Sequence, residues 1–138
     1  MTPDDIFRIA SAAVLPGWLA LALLPLAPRA ATWVAGGIAL GLSAVYAALI
    51  LAFWAAADGG FGSLAEVMAL FDQPGVATAG WVHYLAFDLL VGLWIARTAR
   101  GRGLPHLLVL PCLALTFLFG PAGFLSFAAL LLARRSLP

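Results

Sequence analysis

Apolar residues fill this chain in four long blocks separated by short polar turns. The blocks run from about Ile6 to Leu26, Ala31 to Ala57, Val76 to Ala96 and Leu104 to Ala133. Each reaches the ~20 residues that a helix needs to cross a ~30 Å hydrocarbon core. A strand could do so only in a closed barrel, and the alternating pattern of a barrel is missing. The pattern therefore predicts an all-α polytopic membrane protein, a bundle of four transmembrane helices. "PLAPR" at 25–29 and "RGRGLP" at 100–105 read as tight hairpin turns. Pro16 and Pro111 fall inside apolar blocks, where each bends its helix and frees a backbone carbonyl. The fourth block is too long for one crossing, since 28 residues from 106 to 133 extend ~42 Å at 1.5 Å per residue. "FGPAGF" at 119–124 is expected to kink that helix or end its regular part.

The longest connection reads "GFGSLAEVMALFDQPG". Ser63 and Glu66 stand at capping-box spacing. Leu64, Val67, Met68 and Phe71 then share one face, which predicts a short amphipathic helix over about 64–72. It suits the membrane interface, with a plain turn over the bundle as the other option. Residues 1–138 read as a single transmembrane domain.

Composition supports this class. Mean hydropathy is +1.08, and 64% of residues are hydrophobic against 9% charged. A soluble domain carries roughly a quarter charged residues, so a soluble fold is excluded. All seven basic residues are Arg, and the net charge is +1. The only basic run is "RTARGRG", which gives no footing for nucleic acid. The start, "MTPDDIFR", is acidic where a secretory signal would be basic, so the first block reads as a retained helix. With four crossings, Arg29, Arg97, Arg100 and Arg102 lie on one side against Arg8, Arg134 and Arg135 on the other. Four against three only weakly favours a cytoplasmic 97–103 loop.

Asp88 stands near the middle of the third block. An ionised carboxylate there costs at least ~2.5 kcal/mol. It must face the bundle interior, be paired, or be protonated. It reads as a functional acid or base, or else as a hydrogen-bond anchor between helices. His83 points about 140° away from it at 100° per residue, so the two make no dyad on one face. Trp81, Tyr84 and Asp88 form one stripe, and Gly80, His83, Phe87 and Trp94 another. If the last two blocks pair antiparallel about residue 100, Asp88 is level with Cys112, and His83 with Thr116 and Phe117. That register predicts a polar pocket walled by aromatics. His106 falls near the interface, level with Trp94, as a site residue or a helix anchor.

Trp33, Trp54, Trp94 and Phe53 suit an interfacial aromatic belt. Gly36, Gly37 and Gly41 suit close helix packing. Cys112 is the one cysteine, so no intramolecular disulfide forms. No metal-ligand spacing, phosphate-binding loop or serine nucleophile motif stands out, and no cofactor is expected.

From "FGSLAEVMALFDQPG" through "GWVHYLAFDL", the "PH" of Pro105–His106 and "PCLALTFLFGPAGF", residues 61–124 resemble the abscisic-acid-deficient-four type of membrane protein. In plants that family is associated with neoxanthin synthesis in the plastid envelope, and bacteria carry many relatives. Without a plastid transit segment, this chain suits a bacterial inner membrane. The resemblance implies an apolar isoprenoid substrate such as an epoxy-carotenoid, rearranged to an allenic alcohol without redox change. Such a rearrangement delivers one proton to the epoxide oxygen and removes another from a neighbouring carbon. Chemistry and position make Asp88, His83 and His106 the candidate catalytic groups. Trp81, Tyr84, Trp94, Thr116 and Phe117 are the candidate substrate contacts. The other expectation is a non-catalytic lipid- or carotenoid-binding accessory protein. A proton or solute conductor ranks last, because Ser11, Thr32, Ser43 and Tyr46 make too thin a polar path. The expected partners are membrane lipid and a homodimer mate, since four short helices bury little surface.

Overall fold

Proline and glycine decide where each helix starts and stops. A computed structural model describes residues 1–135, and all of their regular elements are helical. The side chain of Arg135 lies outside the described part. The first apolar block is two helices, α1 (Pro3–Ala13) and α2 (Leu15–Ala22). Pro16 has no N–H to offer the preceding turn, and the break falls two residues before it. Pro28 opens α3 (Pro28–Phe53), which ends in a single 3-10 turn at Trp54–Ala56. The amphipathic segment forms α4 (Leu64–Phe71). Half of its capping box is present: the Ser63 hydroxyl accepts from the Glu66 N–H at 3.2 Å. The Glu66 carboxylate accepts instead from the N–H of Gly62, at 2.9 Å.

Pro74 opens α5 (Pro74–Gly101), which runs beyond the expected end at Ala96. It is the central helix, with Val82, Leu85, Leu89 and Ile95 among its many buried residues and one outer face that carries Phe87, Leu90 and Trp94. α3 lies antiparallel to it, as Leu93 beside Gly36 and Phe53 against Gly75 show. α1 and α2 lie parallel to it. The Trp81 indole donates to the Ser11 hydroxyl at 2.9 Å, and the Trp18 ring fills the space left by Gly92.

The fourth block departs from expectation. It is two helices, α6 (His106–Phe119) and α7 (Pro121–Arg135), joined by Gly120 alone. Gly120 has φ +36°, a conformation that a side chain disfavours. Pro121 removes the next N–H, so the helix cannot continue. The chain reverses there. A Cβ on Gly123 would strike the backbone of Thr116, seven residues earlier and ~10.5 Å away in a continuous helix. α6 runs antiparallel to α5 until Gly120 meets Asp88. α7 then returns alongside α5, placing Phe124 and Phe127 against Trp94 at ring-centroid distances of 5.6 and 5.7 Å.

Three helical stretches are therefore long and apolar enough to cross a membrane: Pro3–Ala22, Pro28–Ala56 and Pro74–Gly101. α6 and α7 are each shorter. The reversal also revises the count of arginines by side. α7 carries Arg134 back towards the end that holds Arg29, Arg97, Arg100 and Arg102, and away from Arg8. All acids except Asp88 lie at the opposite end: Asp4, Asp5, Asp58, Glu66 and Asp72. There Arg8 pairs with Asp5 at 3.0 Å.

This asymmetry predicts that the arginine end faces the cytoplasm. Single cysteines placed at Arg102 and Arg134 in a Cys112→Ser background should react with an impermeant maleimide from the same side. A cysteine at Asp72 should react from the other. Labelling of positions 102 and 134 from opposite sides would show a fourth crossing.

Candidate functional site

Asp88 is the one carboxyl buried in the described core, at 9% exposure. The packing of α5 turns it inward, towards the reversal between α6 and α7. A Cβ on Gly120 would lie 2.5 Å from its Oδ1, so only glycine leaves room for the carboxyl. Its Oδ2 is buried with no hydrogen-bond partner among the described residues. An unsatisfied buried polar atom costs about 1–3 kcal/mol. Such a cost, carried at a break in a helix, marks the site chemically.

Tyr84 stands one turn earlier on α5. Its hydroxyl donates to the Leu118 carbonyl at 3.0 Å. That carbonyl is freed by the helix break, since the chain reverses before the residue that would normally bond it. The hydroxyl also lies within electrostatic reach of the Asp88 carboxyl. The Trp81 ring stacks on Tyr84 at 5.4 Å. Thr116 is fully buried and closes its hydroxyl onto the Cys112 carbonyl at 2.7 Å. Asp88, Tyr84 and the 116–120 turn thus form one cluster halfway along α5.

The other expected site residues lie elsewhere. His83 is on the outer face of α5, stacked on Phe87 at 4.4 Å and tilted against Tyr46 at 5.2 Å. Its angular offset from Asp88 rules out a hydrogen-bonded dyad on one face, while the two remain within electrostatic reach. His106 contacts the Ala22 carbonyl through Nε2 at 3.0 Å. It joins the start of α6 to the end of α2, roughly 21 Å along α6 from Gly120. It is a fastening at the arginine end. Trp94 packs with Phe124 and Phe127, and Phe117 packs edge-on to Trp18 at 5.4 Å. The expected register was also short. Tyr84 meets Leu118 and Asp88 meets Gly120, so the pair turns about residues 101–104, not 100.

Gly120, Gly123 and the Leu118 carbonyl were not foreseen as site components. The Gly-Pro pair in "FGPAGF" was their only trace in the chain. Among the described residues no group of three or more His, Cys, Asp or Glu could hold a metal ion.

The sequence model of the ABA DEFICIENT 4-like family matches residues 5–127, which is most of the chain. The chain belongs to the ABA DEFICIENT 4-like family. The match reaches well beyond residues 61–124 and takes in α1 to α3. It also covers every member of the Asp88 cluster. Neither the curated proteins nor the solved structures contain a match. Family membership and the long apolar helices together make this a membrane protein of a carotenoid- or isoprenoid-related family.

Two substitutions separate strain from anchoring here. Gly120→Ala should cost about 1–3 kcal/mol, because it forces a side chain into a disfavoured backbone state and against Asp88. Asp88→Asn should stay within about 1 kcal/mol of wild type, because Oδ2 gives up no hydrogen bond. Thermal melts in detergent read both. A large loss for Asp88→Asn would make the carboxyl a structural anchor.

Proposed function

We propose that this protein is a membrane-embedded enzyme that isomerises a carotenoid-like isoprenoid lipid by acid–base chemistry, opening an epoxide to an allenic alcohol. The observation that carries this is the Asp88 carboxyl in the middle of the apolar α5, its buried Oδ2 without a hydrogen-bond partner among the described residues, facing the break between α6 and α7 beside Tyr84. The group lies at the depth where an isoprenoid substrate dissolves and where water does not compete for it.

The bookkeeping of the reaction suits one carboxyl. A protonated Asp88 gives its proton to the epoxide oxygen as the carbon–oxygen bond breaks. The resulting carboxylate removes a proton from the neighbouring polyene carbon, and the electron pair of that bond forms the new double bond of the allene. The acid is restored, and atoms and charge balance without a cofactor. The carboxyl has two oxygens, so one can donate and the other accept. The scheme needs no histidine: His106 lies at the far end of α6, and His83 packs against Phe87 and Tyr46 on the outer face of α5. Tyr84, its hydroxyl held by the Leu118 carbonyl, stands within electrostatic reach of the carboxyl. Trp81, stacked on Tyr84, offers the nearest aromatic surface to a polyene.

A non-catalytic lipid- or carotenoid-binding accessory role has its own support. Asp88 is packed closely against Gly120, and neither histidine joins it. In that case the cluster would recognise a hydroxyl or epoxide group without transforming it.

Pigment analysis by HPLC decides between the two. In a host that accumulates epoxy-carotenoids, the wild type should yield a product of unchanged mass and altered spectrum. Asp88→Asn should lower its formation by at least ~100-fold, the usual scale of general acid–base catalysis. His106→Ala should retain it. No product from the wild type, with the protein present in the membrane, moves the assignment to the accessory role.

A further inference from the structure

We propose that the groove between α3 and α5 at the arginine end is a binding site for an anionic phospholipid, one whose phosphate charge no cationic headgroup offsets. The groove has a volume of about 720 Å³. Arg29, Arg97 and Arg100 line its mouth. None of the three has an ion-pair partner among the described residues, where the pair Arg8–Asp5 lies at the other end. Among the described residues no acid stands near them, and their charge is open to an outside partner.

A second cavity of about 410 Å³ adjoins the mouth and shares Arg29 and Arg100. It sits over the first turn of α3, where Ala27 supplies no side-chain cap. Uncapped N–H groups at a helix start favour an anion, and here they face the same space as two guanidinium groups. Arginine is suited to phosphate because its planar fork meets two oxygens at once.

Below the mouth the groove turns apolar, lined by Trp33, Gly36, Gly37 and Leu40. Gly36 and Gly37 are why it exists. A Cβ on Gly37 would meet nothing within 4 Å, so this glycine opens a channel where close helix packing was expected. From Arg29 to Leu40 the groove follows α3 for ~16 Å. That is about half of a ~30 Å hydrocarbon core, the depth of one leaflet. Three cations at the surface above an apolar track one leaflet deep match a phosphate headgroup with its acyl or prenyl chain. A free anion would leave the track empty, and a neutral lipid would leave the arginines unused. The site shares no residue with the Asp88 cluster.

Native mass spectrometry of the full-length protein in detergent tests this, with phosphatidylglycerol, phosphatidylcholine and inorganic phosphate as separate probes. The expected result is at least ten-fold greater retention of one phosphatidylglycerol than of phosphatidylcholine. Arg29→Gln combined with Arg100→Gln should remove the difference. Gly37→Leu should also remove it while leaving every charge in place, and it should fold, since the position is open. Equal retention of the two lipids overturns the proposal. So does a Gly37→Leu variant that still discriminates, which would reduce the effect to general attraction at a basic surface. Inorganic phosphate retained as well as phosphatidylglycerol would show an anion site without a lipid track, and would overturn it too.

Discussion

The reversal of the chain at Gly120 governs the rest of the architecture. It turns an apolar run of nearly thirty residues into two short helices that lie back to back. The turn is one residue long because glycine accepts the backbone angle and Pro121 forbids the helix to go on. The close contact of Gly123 with Thr116 locks the two arms together. Three properties follow from this one joint: the setting of Asp88, the free carbonyl that holds Tyr84, and the return of α7 to the arginine end. A continuous fourth helix would have none of them.

Much of this was legible in the chain and some was not. The long apolar blocks, the breaks at Pro16, Pro28 and Pro74, and the short amphipathic α4 follow from local rules about hydropathy, proline and capping. Asp88 stood out because a carboxylate in an apolar helix has few ways to be tolerated. The angular split between His83 and Asp88 was also readable, since it needs only helix geometry. Which of the two faced inward was not, because that depends on where α3, α6 and α7 pack around α5. The fold-back was hidden for a similar reason. "FGPAGF" announces a disturbance, but a kink and a reversal use the same residues. The difference lies in the approach of Gly123 to Thr116, a contact between two helices. The arginine count misled as a consequence, since it assumed that the last block crosses.

The charge pattern and the site pull in different directions, and the fold reconciles them. Arginines other than Arg8 gather at one end and acids at the other, leaving Asp88 as the one carboxyl in the middle, beside Tyr84 and Thr116. The polar cluster needs a dry setting to have unusual chemistry, and α6 and α7 supply it from one side. The arginine end needs openness, and the glycines of α3 supply that. The same residue type therefore does opposite jobs here. Gly92 and Gly120 admit a ring or a carboxyl and make contacts tight, while Gly37 leaves a space unfilled.

Fastening α6 at its start, through His106 and Ala22, has a bearing on how the molecule is made. α5 leaves the ribosome before the hairpin does, and its Asp88 face is bare at that stage. α6 spans only ~21 Å, too little to sit across a bilayer alone, so the hairpin must dock as one piece against helices already in place. The His106 contact fastens the hairpin beside the arginine-rich turn, and Gly120 lies over Asp88 at its far end. The carboxyl thus gains one wall of its setting only when the α6–α7 hairpin is in place, which ties the chemistry of the site to the completion of the bundle.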